Sequence, residues 1–169
     1  MRVAVTGTPG TGKTTATERL DTDLDVIHLN DAIKAENGLD AGVDEDRDSV
    51  VADVDAIAEW LDGREDVLVE SHLAHHFDAD RVIVLRAHPE TIEERLGQRD
   101  ESEASITENA ESEALDVILT EAVERHGTDG VYEIDTTDRS VEAVVDTIEA
   151  VLAGEREPSA GTVSFIEYL

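Results

Sequence analysis

The chain has no cysteine, two lysines, three prolines and five aromatic residues among 169 positions. Without cysteine, neither a disulfide framework nor a thiolate metal centre can be built. Positive charge is nearly as scarce: 13 Lys plus Arg face 42 Asp plus Glu, for a net charge of −29. Such a surface excludes non-specific attachment to bare nucleic acid or to an anionic membrane. No run approaches the roughly 20 apolar residues of a membrane span, and the N-terminus lacks a signal-peptide pattern. These absences lead to the expectation of a soluble, cytoplasmic protein. They do not imply disorder, because 40% of the residues are hydrophobic and fall in organised runs. The length suits one domain, residues 1–169, with a substantial core.

The acidity has a particular character. Lys13 and Lys34 are the only lysines, beside 11 arginines. Self-repulsion of this size destabilises a compact chain in dilute buffer and is screened within a few Å by concentrated salt. The composition therefore reads as adaptation to a salt-saturated cytoplasm. An acidic face for a basic partner is the rival reading. The acids are spread from Asp21 to Glu167, which favours adaptation of the whole surface.

Five short apolar runs are expected to be strands: Val3–Val5, Val26–Leu29, Val67–Val69, Val82–Leu85 and Val131–Ile134. They are continuous rather than alternating, as in a parallel sheet buried on both faces. Helical spacing links Val50, Val51, Val54, Ile57, Ala58 and Leu61. Pro89 opens a second helix through Ile92 and Leu96. Ser105 to Glu108 has capping-box spacing before Leu115, Ile118, Leu119 and Val123. Val141 to Leu152 forms a last amphipathic helix, and the tail from Glu155 reads as a loop or extension. Alternating strands and helices predict a three-layer α/β fold: a five-stranded parallel sheet with helices on both faces.

Between the first strand and the next helix stands Gly7-Thr8-Pro9-Gly10-Thr11-Gly12-Lys13-Thr14, which satisfies the P-loop pattern. Glycines let the backbone bend so that its N–H groups converge on phosphate oxygens. Lys13 is expected to reach the β- and γ-phosphates of ATP, and the Thr14 hydroxyl to ligate Mg²⁺. Gly10, Gly12 and Thr15 complete the expected phosphate cradle. No Asn-Lys-x-Asp motif is present, which argues against a Ras-like GTPase. The short chain, with a charged segment near 28–51 and a polar one near 98–108, is laid out like a small-molecule kinase.

Taken with Asp40–Asp48, Glu70-Ser71-His72 and Arg95-Leu96-x-x-Arg99, the P-loop resembles that of the archaeal and eukaryotic nuclear-type adenylate kinases. The resemblance runs from residue 2 to about 153. It implies a P-loop nucleoside monophosphate (NMP) kinase fold, with a small monophosphate-binding segment near 28–51 and a lid near 98–108. It implies ATP and Mg²⁺ as cofactors and AMP as the favoured acceptor. The family is also regarded as an ATPase assisting small-ribosomal-subunit maturation, which implies contact with a small-subunit ribosomal protein.

Catalysis in such a kinase rests on positioning and positive charge, because the acceptor phosphate is already ionised. The resemblance puts Arg99 on ATP at the base of the lid; Arg95, four residues earlier, shares its helix face. Solvated arginines bonding nearby carboxylates would have the same spacing. Glu70 ends the third strand and suits the Mg²⁺ shell through water, although the family pattern has Asp there. His72 matches the family histidine and would orient water for hydrolysis, or is simply a polar loop residue. His28, Asp31 and Lys34 follow the second strand, where the monophosphate is expected; a structural histidine and a surface lysine are the alternatives. Arg86 is a weak ligand candidate that also suits pairing with Glu90, and Arg139 belongs to a loop that approaches the adenine in similar kinases. His72, His75 and His76 suggest a metal, but with no cysteine and no carboxylate in known geometry a transition-metal site is not expected. The acidic Asp100-Glu101 step departs from the family's lid. The expected activity is ATP + AMP → 2 ADP; an ATPase assembly factor or a kinase for another small metabolite are the alternatives.

Overall fold

The computed structural model describes residues 1–44 and 49–169. Among the described residues the strands are β1 (Arg2–Thr6), β2 (Asp25–His28), β3 (Asp40–Asp44), β4 (Ser49–Ala52), β5 (Val67–Glu70), β6 (Arg81–Arg86) and β7 (Val131–Asp135). The α-helices are α1 (Lys13–Thr17), α2 (Leu29–Ala35), α3 (Val54–Leu61), α4 (Pro89–Gly97), α5 (Glu103–Ala114), α6 (Val117–His126) and α7 (Val141–Leu152). The five expected strands form one sheet in the order β2-β5-β1-β6-β7. Every pairing in it is parallel.

Apolar runs form these strands because each successive side chain enters a different core. Ala4, Val69, Val82 and Val84 pack with Leu29, Ile33, Ile57, Leu61, Leu119 and Ala122 on one face. Val3, Val5, Leu68, Ile83 and Leu85 pack with Ile134, Val144, Ile148 and Val151 on the other. The three-layer α/β architecture is the expected one. Ile148 is fully buried, so truncation to alanine there costs about 2–5 kcal/mol. Central β1 ends at the P-loop, at the carboxyl edge where ligands bind in sheets of this kind.

Three local differences from the sequence reading have physical causes. Val50 and Val51 lie in β4, paired antiparallel with β3, instead of opening a helix. The helix starts later because the Asp53 side chain accepts from the Ala56 N–H at 3.1 Å and caps α3. Ser102, not Ser105, caps α5, accepting from the Ser105 N–H at 3.2 Å. The expected helix through Val123 is split, because Asp116 takes a left-handed φ of 55° between α5 and α6. Of the Asp40–Asp48 stretch, residues 45–48 lie outside the described residues. The tail is tied down: the Thr162 N–H donates to Glu133 Oε2 at 2.7 Å, and the Tyr168 hydroxyl to Glu93 Oε1 at 2.5 Å. Among the described residues no helix is long and apolar enough to cross a membrane.

Candidate active site

The loop Gly7–Gly12 turns back over the end of β1 and needs glycine for steric reasons. A Cβ on Gly7, at φ 146°, would lie 2.5 Å from the Leu85 carbonyl oxygen of β6. Gly12, at φ 89°, turns the chain directly into α1. Lys13 is the first residue of that helix and is 8% exposed. Its ammonium donates to the Gly7 carbonyl at 2.8 Å and the Thr8 carbonyl at 3.1 Å. Burial pushes its pKa down to about 8; Glu70 works against that fall and Arg99 adds to it. A desolvated cation hydrogen-bonded to carbonyl oxygens is well prepared to take an anion.

At the next residue, the Thr14 hydroxyl donates to Glu70 Oε1 at 3.3 Å. The second oxygen of Glu70 accepts from His28 Nδ1 at 2.8 Å. Glu70 is 5% exposed at the end of β5, and β5 lies beside both β1 and β2 in the sheet. Parallel pairing thus brings together three residues that lie far apart in sequence. Two hard oxygen donors beside an anion site suit Mg²⁺, so the residues present fit that ion. Thr15 is exposed on the first turn of α1.

A cleft of about 670 Å³ lies between α2, β4 and the loop after β5. Asn30, Lys34, His72 and Glu101 supply its polar lining, and Ile33, Val50 and Val51 its apolar wall. His72 is held down at a pKa of about 4, first by burial and then by the charge of Lys13, so it is neutral at neutral pH. Lys34 is exposed and lines the cleft. Asp31 is exposed on α2 and does not line the cleft. Arg99 is exposed just beyond α4, close enough to lower the pKa of Lys13.

Arg95 lies on the P-loop, donating to the Gly10 carbonyl at 3.0 Å and to Thr136 Oγ1 at 3.4 Å. Arg139 is committed to α7, donating to the Ala143 carbonyl at 3.0 Å and Thr147 Oγ1 at 2.8 Å.

Arg86 is neither a free ligand nor the partner of Glu90. It is 1% exposed and donates to Glu113 at 2.7 Å, Glu133 at 2.7 Å and Asp116 at 2.5 Å. Burial works against its charge, but Glu113 and Asp116 outweigh that and raise its pKa. The other oxygen of Glu113 accepts from the Thr8 hydroxyl at 2.6 Å, so this cluster also holds the P-loop. Sequence reasoning missed Glu113 because it lies 105 positions from Thr8 and no motif marks it.

A parallel sheet of this order, with a Gly-Lys-Thr loop after its central strand, is the fold of P-loop kinases. Solved structures agree. The deoxyadenosine kinase from M. mycoides with bound dATP superposes with TM-score 0.57 at 15% identity, covering 90% of this chain and all of that one. The same enzyme with dCMP and a flexible dCDP gives 0.59 at 14% identity, covering 92% and 100%. At sequence level, residues 3–116 match the family model described as AAA domain. A Natronomonas pharaonis protein is 64% identical over 169 residues, covering both chains in full. A Halobacterium salinarum protein is also 64% identical with full coverage of both, and one from Methanosarcina acetivorans is 43% identical over 90% of this chain and 86% of its own. All three relatives carry the name "Putative adenylate kinase". The chain belongs to this archaeal family of P-loop proteins.

Proposed function

We propose that the protein is a Mg-ATP-dependent nucleoside monophosphate kinase that converts ATP and AMP into two ADP. The observation that carries the reading is the buried Lys13 beside the Thr14–Glu70 pair, with His72 of the Lys34-lined 670 Å³ cleft close enough to feel the Lys13 charge. An AMP phosphate oxygen attacks the γ-phosphorus of ATP, and the bond to the β–γ bridging oxygen breaks. That oxygen leaves with its electron pair as part of ADP. No protein base is required, because the attacking oxygen is already ionised. Lys13 exchanges its two carbonyl partners for phosphate oxygens, and the amides of the Gly10–Gly12 turn converge on the same anion. Arg99 adds charge from the segment near 98–108, acting as a short lid. Thr14 and, through water, Glu70 would hold Mg²⁺, with His28 orienting the carboxylate. Bound there, Mg²⁺ supplies neutralisation of phosphate charge. On this reading residues 28–51 receive the monophosphate, with Lys34 as its contact; Asp31 lies off the cleft and His28 is taken up by Glu70. The names of the relatives support AMP as the favoured acceptor.

A second activity, ATP hydrolysis, is supported by His72, which stays neutral beside Lys13 and can accept a hydrogen bond from water. A net charge of −29 would suit a basic small-subunit ribosomal protein, in line with a role in rRNA maturation. It also suits a salt-rich cytoplasm.

The test is a phosphotransfer assay in multimolar KCl with AMP, CMP, no acceptor, or no acceptor plus a basic small-subunit protein. ADP formation dependent on AMP supports the kinase. Partner-stimulated hydrolysis without AMP supports the assembly factor. A rate unchanged in Lys13→Ala overturns both.

A further inference from the structure

The run from Ser71 to His76 contains three histidines but no carboxylate. The fold supplies one from far along the chain. His75 and His76 lie in a short 3₁₀ turn (Ala74–His76), and α6 lays Glu121 across it. His75 Nε2 is 2.7 Å from Glu121 Oε2, and His76 Nε2 is 3.8 Å from the same oxygen. One donor atom from each of the three residues falls within 4.8 Å of the others. His72 is not part of this group.

We infer that His75, His76 and Glu121 bind a divalent transition ion of the Zn²⁺ class, at a site separate from the phosphate site. Tetrahedral bonds of about 2.0–2.2 Å put neighbouring donor atoms roughly 3.3–3.6 Å apart. The observed 2.7 and 3.8 Å bracket that spacing. Two imidazoles and one carboxylate are the donors of an open three-ligand zinc site, with water in the fourth position. Nitrogen donors select against Mg²⁺, which separates this site from Thr14 and Glu70.

The surroundings are built in the way metal ligands require. The His75 side chain is 1% exposed, whereas those of His76 and Glu121 are 37% and 43% exposed, so the ion has a route in. His75 Nδ1 lies 2.8 Å from the Thr6 hydroxyl, which fixes the ring and aims Nε2 at Glu121. His126 Nε2 anchors the turn by donating to the His75 carbonyl at 2.8 Å. In the bound form the His75 proton resides on Nδ1 and is donated to Thr6 Oγ1, leaving the Nε2 lone pair for the ion. The imidazole stays neutral overall. Thr6 is the residue before Gly7, so the ion would clip α6 to the strand that delivers the P-loop.

The test uses the full chain, stripped with a chelator, in multimolar KCl with Mg²⁺ present. Co²⁺ is titrated while its visible absorption is followed, and Zn²⁺ is then added as competitor. The expected result is one Co²⁺ per chain in a low-coordinate site, displaced by Zn²⁺. Affinity should fall about 100-fold or more in His76→Ala and in Glu121→Gln and hold in Glu70→Gln. Zn²⁺ should raise the melting temperature of the parent and not of the two ligand variants. Both positions are partly exposed, and circular dichroism checks that each variant folds. No visible band at millimolar Co²⁺ would overturn the inference. So would a band that survives both substitutions, or one lost only in Glu70→Gln.

Discussion

Replacing Arg86 by leucine should be among the most damaging single changes in this protein. The guanidinium sits at 1% exposure and is the cation shared by three carboxylates. Two of them, Glu113 and Glu133, have side chains 4% and 0% exposed, so water cannot replace the lost partner. Breaking a buried ion pair from one side costs about 3–5 kcal/mol, because the remaining charge stays buried without compensation. Against a total stability of about 5–15 kcal/mol, that is a large fraction. For a chain of this size it corresponds to a fall of roughly 6–20 °C in melting temperature. Two dependent features should loosen as well: the left-handed Asp116 that separates α5 from α6, and the tail segment at Thr162 that bonds Glu133. A surface pair provides the control. Arg19 and Glu142 are 3.2 Å apart with side chains 54% and 75% exposed, so Arg19→Ala should cost about 0.5 kcal/mol or less. Chemical denaturation of both variants in the same concentrated KCl makes the comparison. If Arg86→Leu costs no more than Arg19→Ala, the cluster does not organise the fold as argued.

Further outcomes follow from the same geometry. Gly7→Ala should abolish nucleotide binding and cost about 1–3 kcal/mol, since its Cβ would meet the Leu85 carbonyl at 2.5 Å; calorimetry with ATP and a melting curve check both. The Lys13 pKa of about 8 means the charged form prevails below that pH and is lost above it. The ATP dissociation constant should therefore be flat below pH 8 and rise roughly 10–30-fold by pH 9.5; a flat profile would contradict the assignment. His72, held at about 4 in the folded state against 6.5 ordinarily, takes up its proton more readily when the chain is unfolded. Its contribution to stability is complete above pH 6.5 and is lost as the pH falls towards 4. His72→Gln should lose less stability than the parent across that window in parallel denaturation series.

The sheet was legible because its strands are continuous Val and Ile runs separated by helical spacing, and the P-loop because its chemistry is local. Val50 and Val51 misled for the same reason that Val54 and Ile57 did not. All four fit a helical stripe, and only the Asp53 cap decides where the helix starts. The oxygen cluster was partly legible: Glu70 and Thr14 were expected near Mg²⁺, whereas the bond from His28 to Glu70 depends on the parallel register of β2 with β5. Arg86 shows the limit. Its position at the carboxyl edge suggested a ligand, but its role was set by Glu113 and Glu133, which no spacing rule connects to it.

The central claim is phosphoryl transfer at Lys13 to a monophosphate in the adjoining cleft. The most direct measurement is initial ADP formation from ATP and AMP in multimolar KCl, for the parent and for Lys13→Ala. The account predicts two ADP per ATP consumed, dependent on AMP, with a loss of about 10²–10³ or more in the variant. ADP formation that ignores AMP, or a variant as fast as the parent, would contradict it.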